Sequence, residues 1–409
     1  MAHSELLPFE ELWPRVADRI ELLQTEEFDL GAAGKRILRA DAVAAWDLPM
    51  ADNSAMDGFA VCSGDTVTAP DCVLRVLAAD AYAGAEEKVR VDPGTAVPIG
   101  TGGLIPLGAD AVAIKEIVDR REDEIRVHEP VAVGAHIRRA GEELRADDTV
   151  IPRGVRLAPL GIAAAAAAGV LRVRVSCRPR VVVLSTGNEL VPMGGEARAG
   201  QVVNTNTPFL SMVIEDLIGV APETPGPVVD DRDALRDRLA QVLGVADVLV
   251  LSGGVSVGDR DFVKQTLEED LGVERLVWRV AQKPGKPTYV GQRDGSWVIG
   301  LPGNPAAVAV GWHTLVRPLL LALTGAADST PRRVPVRLAT TVRQNRLRTH
   351  LRWCVSEWRS HELWAEPLDR SGSHMLSDLA RSDLLAVIPP GDAEFPIGTL
   401  VEAIQIDPI

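Results

Sequence analysis

The spacing of apolar positions changes character several times along the chain, and each change marks a candidate boundary. Phe9, Leu12, Trp13, Val16, Ile20 and Leu23 trace one face of a helix. Pro14 interrupts that face, and a helix interior tolerates proline poorly, so the pattern predicts a helix that begins at Pro14. Leu30 to Trp46 reads as a second short helix or strand. From Cys72 to Arg153 the period shortens to two, with strands predicted at Val73–Leu77, Ala111–Val118 and Glu124–Val131. Helical spacing returns at Arg156 to Val175, followed by a strand, with Ala163 to Ala168 supplying strong helix formers.

After Pro179 the pattern becomes strand and helix in alternation. Branched apolar runs without polar interruption, Arg180–Ser185, Val248–Leu251 and Trp297–Gly300, suit strands covered on both faces of a parallel sheet. Between them lie helices at Thr207–Ile218 and Ala234–Leu243, a strand near Val228, a helix from Phe262, a strand at Leu276–Val280 and a last helix from Pro305, capped by Asn304. Residues 331–409 revert to alternation, with strands at Val334–Leu338, Leu351–Trp358 and Leu363–Ala365. Trp353, Trp358 and Trp364 are assigned to the core of that region or to an interface. The expected organisation is an α/β multidomain chain. Residues 1–48 with 154–176 form a connecting domain, 49–153 a small β-rich domain, 177–327 a doubly wound α/β domain and 328–409 a C-terminal β domain.

Composition narrows the functional classes. A chain of 409 residues, 46% apolar and 24% charged, can fill several cores. Its net charge of −14 and 4% aromatic content argue against nucleic acid as a partner, so an anionic ligand must meet a local cluster of Lys and Arg. Cys62, Cys72, Cys177 and Cys354 have no metal-ligand spacing, which favours a reducing, cytoplasmic setting without disulfides. No basic leader precedes an apolar run, and the most apolar stretch, Ala306–Leu323, is cut by His313, Arg317 and Pro318, so no membrane association is expected.

The chemistry centres on Asp247–Phe262, where a buried strand meets a glycine-rich turn and then a helix. Gly253, Gly254 and Gly258 let the turn aim backbone N–H groups at an anion, and the helix start adds partial positive charge. Asp259 and Asp261 would repel that anion unless a divalent cation lies between, and oxygen ligands suit magnesium; the alternative is that one of them only caps the helix. In doubly wound sheets ligands bind outside the carboxyl ends of the strands, where loops 185–190, 252–261 and 301–305 all fall. Elsewhere Asp52, Asn53, Ser54 and Asp57 crowd one polar loop, Thr101 tips the turn IGTGGL, and RRAGEEL sets two cations and two carboxylates around Gly141. Asx turns and surface ion pairs are the simpler readings of these.

Seven motifs occur in order: DNSAMDGFA, RRAGEEL, STGNEL, SGGVSVGDRD, KPGKP, LPGNP and SGSHMLSDLA. Together they make the chain similar, over nearly its whole length, to the molybdopterin molybdenumtransferases, or molybdenum insertases, which include the C-terminal part of gephyrin. The resemblance implies that the doubly wound domain binds molybdopterin, that the subunit is elongated and forms a homodimer, and that magnesium assists insertion of molybdate into the dithiolene of adenylylated molybdopterin with release of AMP. It implies catalytic roles for Asp57, Thr101, Glu143, Glu189, Asp261, Lys283 and Lys286, and magnesium at Asp230 and Asp261. Substrate would contact Ser252, Gly253, Gly254, Ser256, Gly258, Pro302, Gly303, Asn304 and Ser373, with Arg348, Ser371 and His374 near the oxyanion. Glu143, Asn188 and Arg279 depart from the commoner aspartate, aspartate and lysine, which bears on tungstate against molybdate. Two rivals remain: a molybdopterin adenylyltransferase, and a non-catalytic scaffold of the same fold.

Overall fold

The structure is a computed structural model that describes residues 6–67, 72–84, 89–229, 231–255, 262–368, 376–377 and 379–406. Its central domain is built on five strands: β1 (Val181–Ser185), β2 (Val248–Ser252), β3 (Glu274–Trp278), β4 (Tyr289–Arg293) and β5 (Ser296–Leu301). They lie in the order β1-β2-β5-β4-β3. β1, β2 and β5 pair in parallel, while β4 runs antiparallel to both its neighbours and makes the sheet mixed at one side.

The unalternated runs divide by face. Val181, Val183, Val248 and Val250 enter one core with helix α1 (Asn206–Ile218) and helix α3 (Pro305–Leu323). Val182, Leu184, Leu249 and Leu251 enter another with helix α2 (Arg232–Leu243) and with Val263 and Leu267. Helices cover both faces, so the domain is doubly wound, and each such side chain contributes about 1.5–3 kcal/mol of burial. The segment at Val228 forms only a bridge to Thr186 instead of the strand expected there. Among the described residues α3 alone is long and apolar enough to cross a membrane, with mean hydropathy 1.5, but 89% of it is buried as a core helix. Its start uses the Asn304 carbonyl, which accepts the N–H groups of Ala307 and Val308, in place of the expected side-chain cap.

Three expectations near the N-terminus change. The first helix spans Phe9–Ala17 with Pro14 inside it, because Pro14 faces solvent and loses only its own hydrogen bond while Phe9, Leu12 and Val16 are buried. These three join the core of the central domain, whereas Leu30, Leu38 and Ala42 pack with Ile151, Leu157 and Val173. Leu30–Trp46 is neither a regular helix nor a full strand: a 3₁₀ turn at Leu30–Ala32 is followed by short bridges and the two-residue strand Ala42–Val43.

The small β-rich domain holds a six-stranded sheet, in which Gly58–Val61 lies between Ala111–Ile114 and Thr95–Ile99. The C-terminal domain closes into a ring. β6 (Arg333–Leu338), β7 (Thr349–Arg359), β8 (Glu362–Pro367), β9 (Leu384–Ile388) and β10 (Leu400–Gln405) pair as β7-β8-β6-β10-β9 and back to β7. Trp353 is buried there, but Trp358 is 72% exposed and belongs to no core.

The strand expected at Leu276–Val280 ends at Trp278. Arg279 adopts φ 64°, and the chain leaves the central sheet. Val280–Lys283 then pairs in parallel with β7, Gln282 opposite Thr349 and Lys283 opposite His350. One turn thus links the central sheet to the C-terminal barrel at the base of KPGKP.

Candidate active site

Parallel pairing brings Ser185, Ser252 and Leu301 into register at the carboxyl edge of the sheet, and the loops that follow line one cleft of about 830 Å³. Its walls include Glu189, Ser252, Gly253, Gly254, Pro302, Gly303 and Asn304, all expected, with Thr186 from the expected loop 185–190, together with Asn206 and Pro287, which the sequence reading does not assign to the site. A cleft of this size suits an extended small-molecule substrate.

The glycines are needed where they stand. Gly253 and Gly254 have φ 92° and 65°, and a Cβ on Gly254 would lie 2.5 Å from the Val263 side chain and 2.6 Å from the Thr186 hydroxyl. Among the described residues that hydroxyl is buried without a hydrogen-bond partner, at the point where the turn comes closest. A Cβ on Gly187 would meet the Glu189 carboxylate at 2.6 Å, so the small residue lets Glu189 fold over the loop.

Asn206 ties the cleft together. Its amide donates to the Ser252 hydroxyl at 2.8 Å and to the Gly303 carbonyl at 2.7 Å, joining the start of α1, the end of β2 and the loop before α3. Thr207 donates its N–H to Asn204 and shares a 2.7 Å hydrogen bond with Ser185. The N-termini of α1 and α3 therefore open on the same space, an arrangement that favours negative charge. The signal available in the sequence was NTNTP, polar residues and a proline at a helix start.

Lys283 and Lys286 stand on a loop that closes on itself. Gln282 and Thr288 donate to the Gly285 carbonyl at 3.2 and 2.8 Å, and Lys286 accepts the N–H groups of Val280 and Thr288. Pro287 then enters the cleft wall. Burial pushes His350, opposite Lys283, down to about 3, and the charges of Arg352, Lys283 and Arg348 push the same way. Lys283, Arg348 and Arg352 thus make a local positive field in a chain of net charge −14.

Asp57, Thr101 and Glu143 stand elsewhere. Pairing of Gly58 with Ile99 and with Ile114 carries Asp57, Thr101 and Lys115 to one end of the small sheet. Asp57 accepts from the Thr101 N–H and hydroxyl, each at 2.8 Å, with the Lys115 ammonium 3.8 Å away. These contacts hold the Asp57 carboxyl below the usual carboxylate range, the Thr101 N–H contributing most. Arg138 pairs with Asn53, bringing the RRAGEEL loop beside them, where Glu143 is exposed and Asp52 is bonded by Arg139 and Ala140. None of the three expected residues lines the cleft of its own chain. Asp230, Ser256, Gly258, Asp259, Asp261, Ser371, Ser373 and His374 lie outside the described residues. Among the described residues no group of three or more His, Cys, Asp or Glu side chains is placed to hold a metal, and all four cysteines are unpaired.

Three domain descriptions match the chain in succession: the MoeA N-terminal region (domain I and II) over 7–169, the probable molybdopterin binding domain over 182–322, and the MoeA C-terminal region (domain IV) over 335–406. The molybdopterin molybdenumtransferase 2 of Mycobacterium tuberculosis is 33% identical over 95% of this chain and 96% of its own. The chain belongs to the molybdopterin molybdenumtransferase family. The family member of Haemophilus influenzae is 35% identical over 74% of each chain. Among solved structures, the molybdopterin biosynthesis moeA protein of Pyrococcus horikoshii OT3 superposes with a TM-score of 0.83 at 27% identity, covering 98% of this chain and 100% of that one. As a member of the molybdopterin molybdenumtransferase family the chain is an enzyme, and the α/β multidomain architecture is that of the family.

Proposed function

We propose that this enzyme inserts molybdate into the dithiolene of adenylylated molybdopterin and releases AMP, completing the molybdenum cofactor. The observation that carries the reading is the convergence of a glycine turn and two helix N-termini on one cleft, beside a rigid lysine loop. The substrate joins pterin to adenylate through a pyrophosphate, and the backbone donors of Gly253, Gly254 and the α1 and α3 starts suit that group. Lys283 and Lys286 neutralise the tetrahedral dianion on a loop already ordered, so little entropy is lost when it binds.

Magnesium suits the carboxylate oxygens of Asp230 and Asp261, both outside the described residues, which would hold it in this reading. It would neutralise the pyrophosphate as the phosphorus–oxygen bond to AMP breaks, a step that calls for charge neutralisation more than a strong base.

A homodimer completes the proposal. Asp57, Thr101 and Glu143 reach the reaction only if the small β domain of a partner subunit covers the cleft, giving two equal sites by two-fold symmetry. The helix Pro159–Ala167 supports this: every residue in it is apolar, yet only Ala165 is buried, and Leu160 and Leu171 nearby are 86% and 80% exposed. Four unpaired cysteines agree with a cytoplasmic setting. The adenylyltransferase alternative accounts for the central domain but gives the matched domains on either side of it no task.

The test is AMP release from adenylylated molybdopterin by the purified protein. Release that requires both molybdate and magnesium supports the reading. Adenylylation of free molybdopterin with ATP, without molybdate-dependent release, would support the adenylyltransferase instead, and neither activity would leave a scaffold.

A further inference from the structure

Asp57, Thr101 and Glu143 come from separate stretches of the small β-rich domain, and one short segment ties those stretches together. Asp52 does not close a turn of its own. Its carboxylate reaches 87 and 88 residues along the chain to the RRAGEEL loop, where Oδ2 accepts from the Arg139 guanidinium at 2.5 Å and Oδ1 accepts the Ala140 N–H at 2.9 Å. The Asp52 carbonyl accepts the Ile105 N–H at 3.1 Å, just past the IGTGGL turn. Ser54, fully buried, donates its N–H to the Gly103 carbonyl at 2.9 Å and accepts the Gly102 N–H at 2.8 Å. On the other side Asn53 and Ser54 pair with Arg138 and Ile137. Residues 52–54 therefore hold the loop of Glu143 and the turn of Thr101 at once, and the chain runs directly on to Asp57. Within the loop the Glu142 carboxylate accepts the Arg139 N–H at 2.8 Å, and Gly141 and Glu143 donate their N–H groups to Pro49 and Leu48, each at 3.0 Å. Glu142 thus shapes the loop, and Glu143 stands next to it at the surface.

We propose that Asp52 is a positioning residue for the reaction, fixing the Glu143 loop against Asp57 and Thr101 so that the three meet the partner subunit's cleft as one rigid unit. This rests on the reading of those residues as one half of a shared site. The side chains of Asp52 and Arg139 are 38% and 54% exposed, and an ion pair at that exposure adds little stability. Its contribution is geometric. One carboxylate that grips a backbone N–H and the adjacent guanidinium gives the loop a single orientation, and a misplacement of about 1 Å can cost about a hundredfold in rate.

Steady-state AMP release by the full chain tests the assignment. Asp52→Ala is expected to lower kcat by about tenfold or more while KM for molybdate and for adenylylated molybdopterin stays within about twofold, with an unchanged melting temperature. Asp52→Asn keeps an acceptor for the Ala140 N–H and is expected to recover most of the loss. Subunit mixing adds a readout that a general weakening of the fold would not produce. Asp52→Ala should regain activity with Asp261→Asn but not with Asp57→Ala, because only the first mixture contains a site with both halves intact. Wild-type turnover in Asp52→Ala, a rise in KM in place of the fall in kcat, an Asp52→Asn enzyme no better than Asp52→Ala, or recovery with Asp57→Ala overturns the assignment. Hydrogen exchange separates it from the reading beneath it. Faster amide exchange at residues 138–144 in Asp52→Ala than in the wild type supports the tie and equal exchange overturns it, even where the wild type releases no AMP or Asp57→Ala fails to complement Asp261→Asn, results that remove the reaction or the shared site instead.

Discussion

At the scale of single residues, charge decides most of the chemistry. Lys283 and Lys286 sit on a loop fixed by Gln282 and Thr288, beside Arg348 and Arg352. Lys283→Ala or Lys286→Ala is expected to raise the molybdate concentration needed for half-maximal AMP release by about tenfold or more, since a charge-assisted contact is lost. Adenylylated pterin should still bind. A titration of activity against molybdate at two ionic strengths checks this, and a wild-type response from both variants would make the loop structural. Asp261→Asn separates a metal ligand from a cap, because Asn caps as well as Asp but carries no charge. It should lower turnover by about a hundredfold or more, the scale of a lost electrostatic stabiliser, with little change in melting temperature. An active Asp261→Asn enzyme would rule out the proposed role of Asp261 in holding magnesium.

The elements explain what the sequence could and could not reveal. The branched runs at Arg180–Ser185 and Val248–Leu251 announce strands buried on both faces, and their side chains divide between two cores as that pattern requires. Local propensity alone makes Pro14 a helix start; the burial of Leu12 and Val16 carries the helix through it. Arg279 defeated the periodicity in another way. Leu276 to Val280 is continuously apolar but for this residue, yet its positive φ sends Val280–Lys283 to a different sheet. Glycine turns and KPGKP are legible as motifs, whereas Asn206 is not, because its partners Ser252 and Gly303 lie tens of residues away in the chain. The buried helix α3 also sets a pH limit. Burial, with Arg317 adding to it, lowers the His313 pKa to about 4 from 6.5, so the folded state holds His313 neutral while the unfolded chain protonates it. Stability from this group is complete above about pH 6.5 and is lost as pH falls towards 4, up to about 3 kcal/mol. Melting curves of the wild type and His313→Gln between pH 4 and 7 should converge at the acidic end; a constant difference across that range would contradict it.

For the whole molecule, the division of the expected residues into two places is the main result. Glu189, Ser252, Gly253, Gly254, Pro302, Gly303 and Asn304 share the cleft, whereas Asp57 and Thr101 share a hydrogen-bonded cluster at the small β-rich domain and Glu143 is exposed on the RRAGEEL loop. The proposed homodimer would bring both places to one reaction, and the exposed alanine helix offers an apolar face for a second subunit. The most direct measurement mixes inactive Asp57→Ala subunits with inactive Asp261→Asn subunits under conditions that allow exchange, and follows AMP release. In the heterodimer one of the two sites then combines an intact small β domain with an intact cleft, and activity is expected to reappear, approaching a quarter of the wild-type rate at equal mixing by statistical pairing. No recovery, with exchange demonstrated by the appearance of heterodimers, would place the whole site within one chain and contradict the shared arrangement.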